Sequence, residues 1–445
     1  MKTPICDFVR SYAASDALRL HMPGHKGQPF LGPETLDITE IPGADVLYRA
    51  RGVIRESEEN ASRLFGSART LYSTEGSSLC IRAMLQLAQL YARLRGEKPR
   101  IAAGRNAHRV FLEAAALLDL EIRWLGEGQE LLSCPLTAEA VAALFAAGED
   151  APNAVYVTSP DYLGGCAELA AIGEICHQNG ALLLVDNAHG AYLKFLSPSR
   201  HPLDLGADLC CDSAHKTLPA LTGGAYLHLS QSCPRELLSM GEQALSLFAS
   251  TSPSYLILQS LDLVNALLAG DYPARIADTA ARLDALRAQL RAEGWTLTGT
   301  EPLKLTLCPK SRGYTGEELG ELLQQAGIVC EFADPDYLVL MFTPECGTAA
   351  FPRLLDALQA VPTRAPLRDA APPLPPPAPV LTPREALLSP FETVPTVEAL
   401  GRVLASPSVG CPPAVPILIC GERIGPEALR LFAYYGIETV DVLIE

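Results

Sequence analysis

Residues 181–190 read ALLLVDNAHG. Five apolar residues in a row end at Asp186, the pattern of a strand buried on both faces, and such strands belong to parallel sheets. Upstream, Leu169 to Asn179 reads as a helix closed by Gly180, and Ala154 to Thr158 as an apolar, β-branched strand. Further back come a helix over Thr137 to Ala147, a strand over Glu121 to Leu125, a helix over Val110 to Leu118 and a strand over Pro99 to Ala103. The series begins with a helix from Ser78 to Leu94, with Gly96 just past its end. This alternation predicts an α/β fold with a mainly parallel sheet covered by helices. In such sheets ligands sit beyond the carboxyl ends of the strands, where Asp186 stands.

The rest of the chain divides around this block. Residues 1–65 are an N-terminal segment with turn signals at Pro23-Gly24, Gly32-Pro33 and Pro42-Gly43. Residues 66–272 form the large domain. Residues 273–361 read as a small α+β domain: a long helix over Ile276 to Glu293, a strand over Leu303 to Leu307 and a helix over Gly316 to Ala326. Strands over Ile328 to Phe332 and Tyr337 to Phe342 follow, then a helix over Ala350 to Val361. Residues 362–383 hold nine prolines, a stiff extended linker, and residues 384–445 make a small C-terminal domain.

Composition narrows the function. The 445 residues are 48% hydrophobic and 19% charged, which excludes a disordered chain. A formal charge of −16 excludes a protein that clamps a nucleic-acid backbone. The 13 cysteines are odd in number and show no Cys-x-x-Cys spacing, so neither a disulfide framework nor a metal site is expected. Buried free thiols in a reducing compartment fit better. The N-terminus lacks a secretory apolar region, and no apolar run approaches the roughly 18 residues of a membrane span. The expectation is a soluble, cytoplasmic protein.

Asp186 alone reads equally as a cap for the next turn. Thirty residues later, however, stands Ser213-Ala214-His215-Lys216-Thr217. A strand-end acid followed by a Ser-x-His-Lys turn is what a pyridoxal phosphate site requires. The Lys amine forms a Schiff base with the aldehyde, and the acid keeps the pyridine nitrogen protonated so that the ring accepts electrons. The Ser213 hydroxyl can reach the phosphate. Upstream, Ser73-Thr74-Glu75-Gly76-Ser77-Ser78 opens a helix, and small residues there let N–H groups and hydroxyls approach a phosphate; an ordinary N-cap is the plainer alternative. His108 follows a strand and offers a ring that could stack on the pyridine; a simple loop histidine is the alternative. Five of eight histidines, at 21, 25, 108, 189 and 215, fall in such motifs, whereas His177, His201 and His228 receive no role.

With these residues in view, the sequence resembles the ornithine/lysine/arginine decarboxylases of fold type I, in the short bacterial form that lacks the N-terminal wing domain. The resemblance runs through His21-Met22-Pro23-Gly24-His25-Lys26-Gly27, Asp37-Ile38-Thr39-Glu40, Asp186-Asn187-Ala188-His189-Gly190 and the Ser-x-His-Lys turn. It continues through Ser250-Thr251-Ser252-Pro253-Ser254-Tyr255, Leu381-Thr382-Pro383-Arg384-Glu385-Ala386 and Gly421-Glu422. It implies that Lys216 carries pyridoxal phosphate, Asp186 pairs with the pyridine nitrogen, Ala188 lies against the ring and His108 stacks on its other face. It further implies that Gly76, Ser77, Ser78, Ser213 and His215 hold the phosphate, and that His189 flanks the ring near the substrate. Thr251 and Ser252 would reach the partner's site in a homodimer with shared sites, with higher oligomers left open. The implied reaction converts a basic amino acid (arginine, lysine or ornithine, arginine slightly favoured by analogy) to a polyamine precursor and carbon dioxide. His215, Lys216 and His189 remain alternatives as proton donor.

Three departures from the family pattern stand out. Glu75-Gly76 replaces Asn-Gly and brings a negative charge towards a phosphate, Leu221-Thr222-Gly223-Gly224 replaces Leu-Thr-Gln, and Cys411-Pro412-Pro413-Ala414-Val415-Pro416 replaces Tyr-Pro-Pro-Gly-Ile-Pro. Two rival readings accompany them. An aminotransferase or lyase of the same fold would want an arginine for the α-carboxylate, and Arg312 and Arg353 are the arginines of the later small domain. A silent regulatory homologue is the other.

Overall fold

The computed structural model describes residues 1–125, 131–134, 136–148, 150–407 and 415–444. The chain opens with helices α1 (Pro4–Ala13) and α2 (Val53–Phe65). Then follow β1 (Arg69–Ser73), α3 (Gly76–Leu94), β2 (Arg100–Gly104), α4 (Arg109–Leu118), β3 (Glu121–Leu125) and α5 (Ala138–Ala146). After these come β4 (Ala154–Thr158), α6 (Leu169–Gln178), β5 (Leu182–Asp186), β6 (Leu209–Asp212), α7 (Ala214–Thr217) and β7 (Ala225–Leu229). Helices α8 (Arg235–Ser246), α9 (Tyr255–Leu268) and α10 (Tyr272–Ala292) close this part. The seven strands form one sheet in the order β1-β7-β6-β5-β4-β2-β3. It is mostly parallel; β7 runs antiparallel to both β1 and β6. The expected α/β class and the helix–strand alternation from 78 to 186 are present, with boundaries within about two residues of the pattern.

The chain falls into two compact units. The first comprises Met1–Pro99, Pro152–Tyr156 and Leu169–Ile276; the second comprises Arg100–Ala151, Val157–Glu168 and Ala277–Glu445. In the first unit, the N-terminal segment, where only turn signals are legible in the sequence, folds into α1 and α2. Helix α2 buries Ile54, Ala61 and Phe65 and ends at Gly66, whose φ of 68° is the left-handed geometry of a helix stop. Its buried Ser57 is paired: Oγ donates to Asp262 Oδ1 at 2.6 Å and the carbonyl accepts from Asn265 Nδ2 at 3.1 Å, which also donates to the Tyr72 hydroxyl at 2.7 Å. This network joins α2, α9 and β1.

The second unit carries a four-stranded sheet in the order β10-β11-β9-β8, built from β8 (Leu297–Thr298), β9 (Lys304–Leu307), β10 (Phe332–Ala333) and β11 (Leu338–Met341). Helices α11 (Gly316–Gln325) and α12 (Ala350–Gln359) pack their leucines with it into one apolar cluster. The strand expected over Ile328 to Phe332 is not there. Gly327 ends α11 with φ 72°, Ile328 N–H returns to the Leu323 carbonyl, and only Phe332 and Ala333 pair with β11.

The C-terminal segment adds α13 (Pro383–Leu387), β12 (Phe391–Pro395), α14 (Pro426–Tyr434) and β13 (Thr439–Leu443). Its motif residues have local reasons. Thr382 and Glu385 form a reciprocal capping box for α13. The carbonyl of Gly421 accepts from the N–H groups of Val380 and Leu381, and a Cβ at Gly421 would stand 2.3 Å from the Leu381 oxygen. Glu422 holds Arg105 through two bonds of 3.0 and 2.9 Å. The Cys411-to-Ala414 departure lies outside the described residues. The twelve described cysteines are free, most of them buried. Among the described residues no helix is long and apolar enough to cross a membrane.

Candidate active site

Strands β5 and β6 run parallel and pair Asp186 with Cys211, so the two chain ends that follow them emerge side by side. From β5 come Ala188 and His189; from β6 come Ser213 and the short helix α7 with His215 and Lys216. The Lys216 amine stands 3.1 Å from Nε2 of His189. Separated by 27 positions in sequence, amine and imidazole are within proton-transfer distance.

Asp186 is buried, yet its oxygens are satisfied. Tyr156 donates its hydroxyl to Oδ2 at 3.0 Å, Ala188 N–H donates to Oδ1 at 3.2 Å, and the Cys211 thiol faces Oδ1 at 3.6 Å. Both oxygens of this buried carboxylate are thus met by donors. Its proximity pushes the Tyr156 hydroxyl and the Cys211 thiol, already raised by burial, well above their ordinary values, so both stay protonated donors. Sequence reading missed Tyr156 and Cys211. Both lie in unbroken apolar runs, where neither residue type announces a polar role.

His215 donates from Nδ1 to the Gly224 carbonyl at 3.0 Å, because a carbonyl can only accept. Its Nε2 is then the bare nitrogen. Burial, and then the charge of Lys216, hold this ring below the ordinary histidine range, so it stays neutral at pH 7.

The start of α3 is where the phosphate cradle is expected. Ser213 Oγ donates to Ser77 Oγ at 2.7 Å, which brings two of the expected phosphate ligands together. Ser78 follows on the first turn, where N–H groups are free of helix partners. Gly76 has φ 72°, and a Cβ there would meet nothing within 4 Å, so the space beside this residue is open. The Gly223 carbonyl accepts the Gly76 N–H at 2.8 Å. A Cβ at Gly223 would stand 2.8 Å from the Thr74 carbonyl, and φ there is 98°. The Gly223 departure is thus a close backbone approach that ties the turn after α7 to the start of α3.

Glu75 does not press its charge into the cradle. Its side chain is exposed and its Oε1 accepts the N–H of Ser250 at 2.8 Å. That bond belongs to the Ser250–Pro253 turn. There Ser254 caps α9 by accepting from Ile257 N–H, while Thr251 and Ser252 are exposed. His108 belongs to the second unit and caps α4, its Nδ1 accepting the N–H of Val110 at 3.2 Å. In the N-terminal motifs, His25 Nδ1 accepts from Gly27 N–H and Nε2 donates to Asp37 at 3.2 Å, so the two motif segments meet each other.

The arginines of the rival reading are engaged elsewhere. Arg312 lies over Trp295 and donates to the Glu293 carbonyl and the Thr363 hydroxyl. Arg353 donates to the carbonyls of Ala326 and Gly327.

Comparisons with known proteins agree with this geometry. The family described as Orn/Lys/Arg decarboxylase, major domain, matches residues 3–306. The uncharacterized protein YaaO of Bacillus subtilis is 32% identical, with 97% of this chain and 93% of that protein covered. The arginine decarboxylase of the same organism is 28% identical over 96% of this chain and 92% of its own length. In structure, the constitutive lysine decarboxylase of E. coli matches with a TM-score of 0.76 at 19% identity, over all of this chain and 82% of that one. The Francisella novicida lysine decarboxylase LdcF gives 0.78 at 18% identity, over 99% of this chain and 81% of its own. Both solved structures have the same fold.

Proposed function

The chain belongs to the Orn/Lys/Arg decarboxylase family and is a decarboxylase of a basic amino acid, and we propose that it works on arginine with pyridoxal phosphate held on Lys216. The observation that supports the cofactor assignment is that Lys216 stands beside His189 of the segment following Asp186, while Ser213 of the lysine's own turn bonds Ser77 at the start of α3. A bound pyridoxal phosphate supplies an electron sink for the pair left on the α-carbon when carbon dioxide departs. Everything else falls to the chain. Asp186 would hold a proton on the pyridine nitrogen, Tyr156 would orient Asp186, and Ala188 would lie against the ring. Gly76, Ser77, Ser78 and Ser213 hold the phosphate. His189 and Lys216 can exchange a proton between Nε2 and Nζ, and His215 offers a bare Nε2 nearby in sequence.

Arginine is favoured because the relatives named arginine decarboxylase align over more than 90% of both chains. The site is proposed to be cytoplasmic and shared within a homodimer. Leu18, Leu20, Phe30 and Leu31 are each about four-fifths or more exposed, apolar side chains that a second copy would cover. Two measurements test the reading. Borohydride reduction and peptide mapping should place the adduct on Lys216; an adduct on any other lysine defeats the assignment. Carbon dioxide release should be fastest from arginine among arginine, lysine and ornithine, and amino transfer to a 2-oxo acid should be negligible. Dominant transfer would favour the aminotransferase, and silence on all three the regulatory homologue.

A further inference from the structure

His201, Cys210, Asp212 and His228 form a cluster that is closed to solvent and that the reaction above does not use. Their side-chain donor atoms lie within 4.8 Å of one another, as metal ligands would. The hydrogen bonds argue for protons instead. Leu203 N–H donates to Nδ1 of His201 at 3.3 Å, so this ring carries its proton on Nε2 and has no lone pair there for a metal. That Nε2 donates to Asp212 Oδ2 at 3.0 Å, and His228 Nε2 reaches the same oxygen at 3.1 Å. The other oxygen, Oδ1, accepts Asn187 Nδ2 at 2.7 Å and faces the Cys210 thiol at 3.7 Å. Burial by itself raises the Asp212 carboxyl, but the two imidazoles facing it bring it well below the carboxylate range. Asp212 is therefore a buried anion with every direction filled by a donor.

Its position gives the anion a purpose. Asp212 ends β6, directly before Ser213 and the turn to Lys216. Asn187 directly follows Asp186, and its N–H donates to the Cys211 carbonyl at 3.0 Å. The other amide atom of Asn187, Oδ1, is buried with no hydrogen-bond partner, so Asp212 is what fixes this side chain. Gly190 leaves room for it, since a Cβ there would stand 2.0 Å from Asn187 Oδ1.

We propose that Asp212 is a positioning residue: through Asn187 it keeps the loop carrying Asp186 in register with the turn carrying Lys216. The proposal rests on the roles given to Asp186 and Lys216 above.

The test compares Asp212→Ala, Asp212→Asn and, as a control, Leu245→Ala, a buried change on α8. Loaded with pyridoxal phosphate, Asp212→Ala should lose tenfold or more in kcat. Its visible cofactor band, and the pH dependence of that band, should move. The control should keep kcat and band at a similar loss of Tm. Asp212→Asn should regain most of the rate, because the Asn187 amide can turn its oxygen towards the new NH2 group. Should Asp212→Ala not fold, Asn187→Ala carries the same expectations. Three results overturn the proposal: a parental band with kcat within twofold, a rate loss no greater than the control's, or one transition-metal ion per parent chain that Asp212→Ala lacks. Failure of the parent to trap cofactor on Lys216 would instead overturn the functional reading, and this proposal with it.

Discussion

The hydroxyl of Tyr156 donates to Oδ2 of Asp186 across neighbouring positions of the fold's first unit, 3.0 Å apart and sealed from water. A hydrogen bond to a buried charge is worth about 1.5–3 kcal/mol. Tyr156→Phe should therefore slow turnover by about tenfold to a hundredfold if this bond to Asp186 is held through the transition state. Asp186→Asn, which cannot hold the ring nitrogen protonated, should lose on the order of a thousandfold or more while still loading cofactor. Steady-state rates of the two variants decide. Near-parental turnover in both would reduce Asp186 to a structural cap.

Thr251 and Ser252 are exposed on their own chain, which leaves them available to a neighbour. If sites are shared within a homodimer, then in a mixture of Lys216→Ala chains with Thr251→Ala/Ser252→Ala chains each heterodimer holds one site with an intact lysine and an intact turn. Activity should rise to about a quarter of the parent's in a random mixture. No recovery, with exchange confirmed by mass and the turn variant impaired alone, assigns the turn to its own subunit. The bond from Ser250 N–H to Glu75 would then be its chief use.

Stability should fall with rising pH because of Glu58. Burial pushes its carboxyl up to about 8. The folded chain thus keeps a proton there that the unfolded chain releases near 4.5. Between these values the native state binds more protons, so stability drops as pH climbs, by up to a few kcal/mol over the range. Glu58→Gln removes the titration. Thermal unfolding from pH 5 to 8 should show the parent losing ground to the variant, and parallel curves would contradict this.

Gly223→Ala should cost about 1–3 kcal/mol, since its φ of 98° and the Thr74 carbonyl leave no place for a methyl group. The damage should reach the cradle: weaker retention of cofactor on dialysis, together with a lower Tm. An unchanged Tm would show that the turn relaxes freely.

How much of this could be read in the sequence depended on whether the cause was local. The strands and helices from 78 to 186 were legible because apolar runs, N-caps and closing glycines act over a few residues. Helix α2 was not. It buries Ser57 and Glu58, and only Asp262, Tyr72 and Asn265, remote in sequence, make those polar groups acceptable. The site divides in the same way. Lys216 and Asp186 stood out through motif and strand end, whereas Tyr156, Cys211 and Asp212 matter only through partners 25 or 30 positions away. His201 and His228, given no role from sequence, share one carboxylate oxygen. Glu75 read as a charge against the phosphate because its true partner, Ser250, lies 175 positions on.

The cradle is assembled from Gly76, Ser77, Ser213 and Gly223, which the chain spells out almost 150 positions apart. Contacts of such long span close only at a loop-entropy cost that local helices do not bear. Refolding should accordingly restore far-ultraviolet dichroism before any capacity to capture pyridoxal phosphate. A nascent chain released from the ribosome would pass through an interval in which it is largely structured yet unable to take up its cofactor, and in that interval the concentration of free cofactor has no grip on its stability.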